Sequence, residues 1–454
     1  MNRPNILVIM ADQFRHDYLG CIPGSPARTP HLDALAAGGR LFTQCATNAP
    51  VCAPARIALA TGLHGDHTGC LDNSAYCPAG RTTYYQRLRD AGYRVGAVGK
   101  LDLAKPDPTN GLDGQRPDAY RWGFTHPLEC EGKMHAGFCR PPSGPYSQFL
   151  HQQGLLDRFC DDYAERRRQG FAIACADSPL PTEAFEDHWI GQQAVRWLAE
   201  RPTDFPWHLF VSFVGPHDPF DPPTAYAEGW RDAPMPPAIP CSGTWRHPSM
   251  VAKQAQLPSD ALLVERIRRQ YCAAIELIDD QVGAILAALD QRGERDNTSI
   301  VFTSDHGEML GDLGLYAKSV PYEAALRVPL IVAGPDVAPG QSDALIELAD
   351  LNPTCCAWAG LPPQPDIDAR DFGACCRGEA DEHRSEQYSV LQSLRLVRTR
   401  TAKLVSWRSG GTELYDLEAD PQENDNRAEH SPELLKELTA TLHRRCTGER
   451  AFRF

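Results

Sequence analysis

The chain has 454 residues, 42% of them hydrophobic, and a formal net charge of −14. This length exceeds the size at which single hydrophobic cores usually stop growing, so we expect one large domain and a smaller one. The negative charge disfavours nucleic acid and acidic membranes as partners, and no stretch approaches the roughly 18 apolar residues of a membrane-spanning helix.

The first apolar segment, residues 5–11, predicts a buried strand. It is too short for the core of a signal peptide followed by a cleavage site, so we expect a cytoplasmic protein. The 16 cysteines are scattered and include no C-x-x-C pair. In a large chain of this kind we expect free thiols rather than a disulfide framework.

Short apolar runs bounded by turn residues alternate with amphipathic stretches along the first three quarters of the chain. The runs lie at 5–11, 94–98, 208–214, 299–303 and 328–332, and the main helical stretches at 183–199 and 261–290. This alternation predicts an α/β fold with a large, mostly parallel central sheet flanked by helices. Two segments rich in proline or glycine, 105–144 and 218–248, are predicted to be loops that line a pocket.

After about residue 375 the pattern changes to short strands, at 387–390, 394–400, 403–407 and 413–415, followed by a helix at 432–444. These elements predict a small α+β subdomain with an antiparallel sheet. We therefore divide the chain into a domain of residues 1–375 and a subdomain of residues 376–454.

The pentapeptide from Cys52 to Arg56, Cys-Ala-Pro-Ala-Arg, combines a nucleophile precursor, a proline and an anion-binding arginine. We expect a helix to begin near Pro54, and a helix N-terminus favours anions. A buried cysteine before a proline in the first helical turn is the simpler alternative.

Two carboxylates follow predicted strands. Asp12 and Gln13 come after the first strand, and Asp305 and His306 come after the strand at 299–303. Ligands bind at the carboxyl ends of parallel strands, and hard oxygen ligands that converge from separate elements suit a divalent cation. Capping of the two loops by these aspartates is the alternative.

The chain resembles the sulfatase branch of the alkaline phosphatase superfamily from end to end. The motifs are RPNILVIMADQ, the C-x-P-x-R box, LRDAGYRVGAVGK, FTSDHGEMLGDLGLYAKSVPYEAALRVPLIV and ELYDLEADPQENDN. The resemblance implies an alkaline-phosphatase-like sandwich whose catalytic domain is residues 1–375. It also implies a formylglycine nucleophile, made from Cys52 by a maturation enzyme. A metal site is implied as well, formed by Asp12, Gln13, Asp305, His306 and the oxygen of the converted Cys52.

Two of these positions depart from many family members, which carry Asp in place of Gln13 and Asn in place of His306. The pairs Asp-Gln and Asp-His look like those of choline sulfatases and phosphonate monoester hydrolases. An amide and an imidazole lower the ligand charge and soften the site, which moves the preference from calcium toward manganese. Either ion is compatible with the sequence.

Four cationic or ionisable positions match those that the family places around the nucleophile: Arg56, Lys100, His217 and Lys318. Each is a suitable donor to sulfate or phosphonate oxygens. By the resemblance, Asp305 is the base that activates the nucleophile, and His217 or Lys318 protonates or stabilises the leaving alcohol.

The family commonly reads G-K-x-H at the segment where this chain has Gly99-Lys100-Leu101-Asp102. We expect Asp102 to pair with Lys100 or Lys105, because an unpaired carboxylate would repel an anionic substrate. Lys133 and His135 are candidates to complete the substrate pocket; a solvated loop is the alternative for both.

The resulting hypothesis is hydrolysis of a small anionic substrate, a sulfate monoester, through a covalent sulfo-enzyme. A phosphonate monoester hydrolase or phosphodiesterase with the same residues is the second reading. A binding protein that kept the fold without turnover is the third. The alcohol of the ester is not identified, and a homo-oligomer is left open.

Overall fold

The computed structural model describes residues 3–107, 110–241, 245–258 and 260–446. The strands are β1 Asn5–Asp12, β2 Arg40–Phe42, β3 Cys45–Ala46, β4 Arg94–Gly99, β5 His126–Glu129, β6 Trp207–Pro216, β7 Thr298–Ser304, β8 Leu330–Ala333, β9 Gly340–Ser342, β10 Ile346–Glu347, β11 Gln387–Leu391, β12 Leu394–Arg398, β13 Ala402–Trp407 and β14 Thr412–Asp416.

The α-helices are α1 Pro30–Gly38, α2 Cys52–Thr61, α3 Gly65–Thr68, α4 Tyr84–Asp90, α5 Pro117–Arg121, α6 Lys133–Ala136, α7 Pro145–Gln152, α8 Leu156–Gln169, α9 Glu186–Glu200, α10 Thr224–Ala227, α11 Pro248–Ala255, α12 Ala261–Gln291, α13 Glu323–Leu326, α14 Leu351–Trp358, α15 Gly373–Cys376 and α16 Pro432–Cys446. Short 3₁₀ turns lie at His16–Tyr18, Phe171–Ile173, Thr182–Ala184, Glu228–Trp230, Arg295–Asn297, Asp312–Gly314 and Leu348–Asp350. Among the described residues, no helix combines the length and the apolar character needed to span a membrane.

An eight-stranded sheet in the order β5-β4-β6-β1-β7-β8-β2-β9 forms the centre of the fold. Strands β5, β4, β6, β1 and β7 are parallel neighbours, with Val8 of β1 opposite Phe210 of β6 and Val301 of β7. The prediction of a large, mostly parallel sheet is therefore confirmed.

Strand β1 shows how the sequence covers both faces of this sheet. Leu7 and Ile9 belong to one core cluster, which includes residues of α9 and α12, whereas Ile6 and Val8 belong to another, which includes residues of α2, α4 and α14. Successive side chains of a strand point to opposite faces, so a strand buried on both faces reads as a continuous apolar run. The sheet is thus flanked by helices on both sides.

One strand runs against the expectation. The segment 328–332 is predicted as a further parallel strand, but β8 is antiparallel to both β7 and β2. A parallel connection needs a crossover of a dozen or more residues, usually a long helix. The only α-helix between β7 and β8 is the four-residue α13, and the chain instead turns back at the end of β7.

The two segments predicted as loops also contain regular structure. The segment 105–144 holds α5, α6 and the edge strand β5, and 218–248 holds α10 and the start of α11. Pro127 lies within β5, and a proline is tolerated there because an edge strand need not pair its backbone on both sides. Residues 108–109 and 242–244 of these segments lie outside the described residues.

The C-terminal antiparallel sheet is confirmed, with β11 to β14 in sequential order. One face packs against α16 through Leu438 and Leu442, and the other contributes Leu396 and Val405 to a core shared with Met309. The division at residue 375 stays a prediction, and residues 447–454 of the proposed subdomain lie outside the described chain.

Candidate active site

The predicted site residues meet at the edge of the sheet where the parallel strands end. Asp12 ends β1, Lys100 follows β4, His217 follows β6, and Asp305 with His306 follows β7. Because these strands are parallel, their carboxyl ends share one edge, and residues far apart in sequence converge there. Cys52 is the first residue of α2.

A glycine is required just before Lys100. Gly99 has a φ of +102°, and a Cβ there would lie 2.0 Å from the carbonyl oxygen of Ser212. Only glycine allows the close approach of β4 to β6 at this point.

Four buried side chains form a cluster that could hold a metal ion: Asp12, Cys52, Asp305 and His306. One ligand atom from each lies within 4.8 Å of the others. His306 Nε2 is 3.1 Å from Cys52 Sγ and 3.8 Å from Oδ1 of each aspartate. The Cys52 sulfur marks the position of the oxygen in the predicted formylglycine.

The surroundings orient these ligand atoms. His306 Nδ1 lies 2.9 Å from the Gly307 carbonyl oxygen, to which it donates, so Nε2 keeps its lone pair for the cluster. Asp305 Oδ2 accepts a hydrogen bond of 2.8 Å from Arg56, while its Oδ1 faces His306. Such outer contacts fix the orientation of metal ligands. The residues therefore fit a divalent cation.

Arg56 lies beneath the two carboxylates, with 2% of its side chain exposed. It donates to Asp305 at 2.8 Å, to Asp12 at 3.1 Å, and to Ser212 Oγ and the Lys100 carbonyl oxygen at 2.7 Å each. The sequence predicted Arg56 as a donor to the substrate. The structure directs its guanidinium to the acidic groups, because burial of two carboxylates requires paired charges. Its role as a donor to the substrate stays a prediction.

Gln13 adopts a left-handed backbone conformation, with a φ of 70°. Its side-chain nitrogen donates to Asp218 at 3.1 Å and to Glu308, and its side-chain oxygen accepts from Lys318. The amide therefore connects Asp218 and Glu308 to the lysine, while the backbone nitrogen of Gln13 donates to Asp305 Oδ1 at 3.1 Å. Its role as a metal ligand stays a prediction.

His217 and Lys318 contact each other at the cavity. His217 Nδ1 is 2.6 Å from the Asp218 carbonyl oxygen, to which it donates, so His217 Nε2 is the acceptor for the Lys318 ammonium. Lys100 lies nearby and pairs with Asp12. The three side chains line the same cavity as Cys52, and their roles toward a substrate stay predictions.

Asp102 pairs with both of the lysines that the sequence proposed. Its Oδ2 contacts Lys105 Nζ and lies 3.2 Å from Lys100 Nζ. Although burial raises the pKa of this carboxyl, the two lysines hold it well below its usual range. The pairing of Asp102 is thus confirmed.

Lys133 is buried and makes its contacts with other groups of the protein. Its ammonium donates at 2.8 Å to the carbonyl oxygens of His217 and Pro219, and it lies 2.7 Å from Asp221. An ammonium has three protons, so these contacts use all of them. Lys133 therefore supports the loop that carries His217. His135 lines the cavity, and substrate binding by either residue stays a prediction.

Lysines surround the Cys52 side chain, namely Lys100, Lys105 and Lys318. Although burial raises the pKa of the Cys52 thiol, these lysines hold it well below its usual range. Burial likewise raises the pKa of Asp12, and Lys100 and Arg56 reverse the effect. The site therefore favours negative charge at the nucleophile position.

The nucleophile opens into a cavity of about 380 Å³. Its lining includes Cys52, Lys100, Lys318, His217 and residues of the segment 102–135. A volume of this size suits a small ligand.

Sequence reasoning missed several residues that hold the site together: Asn73, Ser212, Asp218 and Glu308. Asn73 accepts from the backbone nitrogen after Cys52 at 3.1 Å. Glu308 lies two residues after His306, and Asp218 directly follows His217, so both stand inside motifs already singled out. Asn73 and Ser212 carry no signal of this kind.

The fold and this site together define a hydrolase of anionic esters. The family model described as sulfatase matches residues 4–361, and the model described as N-sulphoglucosamine sulphohydrolase, C-terminal, matches residues 311–451. The chain belongs to the sulfatase family and is a sulfuric ester hydrolase.

Relatives match over nearly the whole chain. An arylsulfatase of Clostridium perfringens is 28% identical over 93% of this chain and 90% of its own length. A choline-sulfatase of Rhizobium meliloti is 29% identical over 97% of this chain and 86% of its own length. The solved phosphonate monoester hydrolase of Agrobacterium radiobacter is 26% identical, with a TM-score of 0.79 over 97% of this chain and 94% of its own.

Proposed function

We propose that the protein hydrolyses sulfate monoesters through a formylglycine formed from Cys52, with one divalent cation, Ca²⁺ or Mn²⁺. The observation that carries this proposal is the cluster of Cys52 with Asp12, Asp305 and His306 at the floor of a lysine-lined cavity. A nucleophile that adjoins both an acidic cluster and lysine side chains suits transfer of an anionic group.

Asp12, Asp305 and His306 would hold the cation, with Gln13 as a further candidate. When bound, the cation supplies charge stabilisation and lowers the pKa of a coordinated hydroxyl. Arg56 and Lys100 already occupy Oδ2 of Asp12, which directs its Oδ1 toward the cluster.

The first chemical step is attack by a hydroxyl of the formylglycine hydrate at residue 52. Asp305 accepts the proton of that hydroxyl. The oxygen forms a bond to sulfur, and the bond between sulfur and the alcohol oxygen breaks. Lys318 gives a proton to the departing alcohol, either directly or by way of His217 Nε2, which accepts from its ammonium. The product is a covalent sulfo-enzyme.

The second step releases sulfate without attack of water on sulfur. The remaining hydroxyl of the modified residue gives its proton to the Lys318–His217 pair, which lost one in the first step. The carbon–oxygen double bond forms again, and the bond from carbon to the sulfated oxygen breaks. Inorganic sulfate leaves and the aldehyde is regenerated. A serine ester lacks this second hydroxyl and cannot decompose in this way.

Hydrolysis of phosphonate monoesters or phosphodiesters is the second candidate. The similarity to the solved phosphonate monoester hydrolase supports it. Gln13 and His306 are compatible with it as well, because the pairs Asp-Gln and Asp-His resemble those of both choline sulfatases and phosphonate monoester hydrolases. These esters carry the same single negative charge as a sulfate ester, so the same lysines can bind either.

Three further predictions accompany this function: conversion of Cys52 by a formylglycine-generating maturation enzyme, a cytoplasmic location, and a homo-oligomer. The first is the only one on which the mechanism depends.

The test is a panel of sulfate monoesters, phosphonate monoesters and phosphodiesters, assayed with protein co-produced with a maturation enzyme. We expect the highest kcat/KM with a sulfate ester, and no turnover by Cys52→Ala. A preference for phosphonates would establish the second candidate. Turnover by the Cys52→Ala variant at the wild-type rate would contradict both.

A further inference from the structure

The cations that line the cavity differ in how many of their protons are already used. Lys133 has three partners. Lys100 contacts Asp12 and Asp102, and Lys318 contacts Gln13 and His217. Each of these lysines therefore has at most one proton left for a ligand.

Lys105 is the exception among the cavity-lining lysines of the described chain. Among the described residues its ammonium contacts Asp102 alone, and 27% of its side chain is exposed. Two of its three protons are therefore available to a molecule in the cavity. Lys105 lines the same cavity as Cys52.

The backbone around Lys105 is held in place. Ala104 pairs with Tyr76 in an isolated β-bridge, and its carbonyl oxygen accepts from the backbone nitrogen of Asp107 at 3.0 Å. The Leu103 carbonyl oxygen accepts from Cys77 at 2.7 Å. With Asp102 fixing the ammonium as well, the lysine is positioned before a ligand arrives, which reduces the entropy lost on binding.

We propose that Lys105 is an anion-binding residue of the active site, which donates to an oxygen of the sulfuryl or phosphoryl group under attack. This inference deepens the proposed function and rests on it for the identity of the ester. Asp102 is then a positioning residue that holds the ammonium toward Cys52. A charge-assisted hydrogen bond of this kind is among the stronger polar contacts.

Binding of inorganic sulfate tests this proposal without any turnover. The background is Cys52→Ala protein with Mn²⁺ present, titrated with sulfate by calorimetry. We expect Lys105→Met to weaken sulfate binding at least about tenfold, which corresponds to about 1.4 kcal/mol. Lys105→Arg keeps the charge and should bind within about threefold of the background.

Lys436→Met is the matched control, because Lys436 is exposed on α16, outside the cavity, and the substitution removes the same charge. It should leave sulfate binding unchanged. Equal binding by the Lys105→Met and Lys436→Met proteins would overturn the proposal, as would a background protein that binds no sulfate.

A third result would also overturn it. If Lys105→Met raises KM for an ester but leaves sulfate binding intact, Lys105 contacts the alcohol rather than the reacting group. Failure of the proposed function is distinguishable from all of these, because it appears as absence of turnover in the wild-type protein, whereas the sulfate titration does not depend on turnover.

Discussion

Replacement of Arg56 by methionine separates a structural role from a substrate-binding role. The side chain is buried and contacts two carboxylates, one hydroxyl and one carbonyl oxygen. Methionine fills a similar volume but removes every one of these donors. Without a bound metal, Asp305 then has no cationic side chain of the described residues within hydrogen-bond distance. Asp12 still contacts Lys100.

Removing one partner of a buried ion pair costs about 3–5 kcal/mol, because the remaining charge is left uncompensated. We therefore expect Arg56→Met to lower the free energy of unfolding by about this amount when a chelator is present. A bound divalent cation would compensate part of the freed charge. The loss should accordingly be smaller in the presence of Mn²⁺ or Ca²⁺.

Chemical denaturation monitored by fluorescence and circular dichroism measures this difference. The control is Arg196→Met, at an arginine whose side chain is 69% exposed and which pairs with Glu200 on the surface. Exposed pairs contribute about 0–1 kcal/mol, so its stability should hardly change. If Arg56→Met is as stable as the control while KM for the ester rises tenfold or more, then Arg56 contacts substrate and our interpretation of its contacts is wrong.

Three further predictions concern the nucleophile, the metal and acid stability. Peptide mass spectrometry should find residue 52 as formylglycine in active protein co-produced with a maturation enzyme, and activity from wholly unmodified thiol would refute the mechanism. Asp305→Ala should lose stoichiometric metal and activity together, by elemental analysis and assay, whereas His306→Asn should shift the preference toward calcium. Burial lowers the pKa of His208 to about 3 from 6.5, so the folded protein excludes a proton that the unfolded chain binds. Stability should therefore fall as the pH drops from about 6.5 toward 3, and His208→Leu should reduce that slope by up to about 1.4 kcal/mol per pH unit relative to a His430→Leu control.

Much of the fold follows from periodicity in the sequence. The segment from Ile6 to Ala11 is apolar at every position because β1 is buried on both faces, which distinguishes it from a half-exposed strand. The predicted helix at 261–290 agrees with α12 to within one residue, since its apolar stripe is long and regular. The antiparallel direction of β8 could not be predicted from periodicity, because the direction of a strand depends on the path of the connection before it.

The candidate site could also be predicted only in part from the sequence. Motifs located Asp12, Cys52, Asp305 and His306, and the parallel sheet brings them together. Which groups each cation contacts depends on distances across the fold, so the sequence could not show that Arg56 is directed toward carboxylates or that Lys133 supports the loop of His217. The sequence predicted Lys105 only as a partner for Asp102. That its ammonium has protons left for a ligand follows from the contacts in the structure.

The charges of the site lead us to expect that binding of a metal ion and binding of a substrate strengthen each other. Four acidic groups pair with four cations around the nucleophile: Asp12, Asp102, Asp218 and Asp305 with Arg56, Lys100, Lys105 and Lys318. The set is therefore close to neutral by itself. A divalent cation in the acidic cluster makes it positive, and a sulfate ester brings back negative charge. Each ligand thus lowers the electrostatic cost of the other, and this coupling is reciprocal.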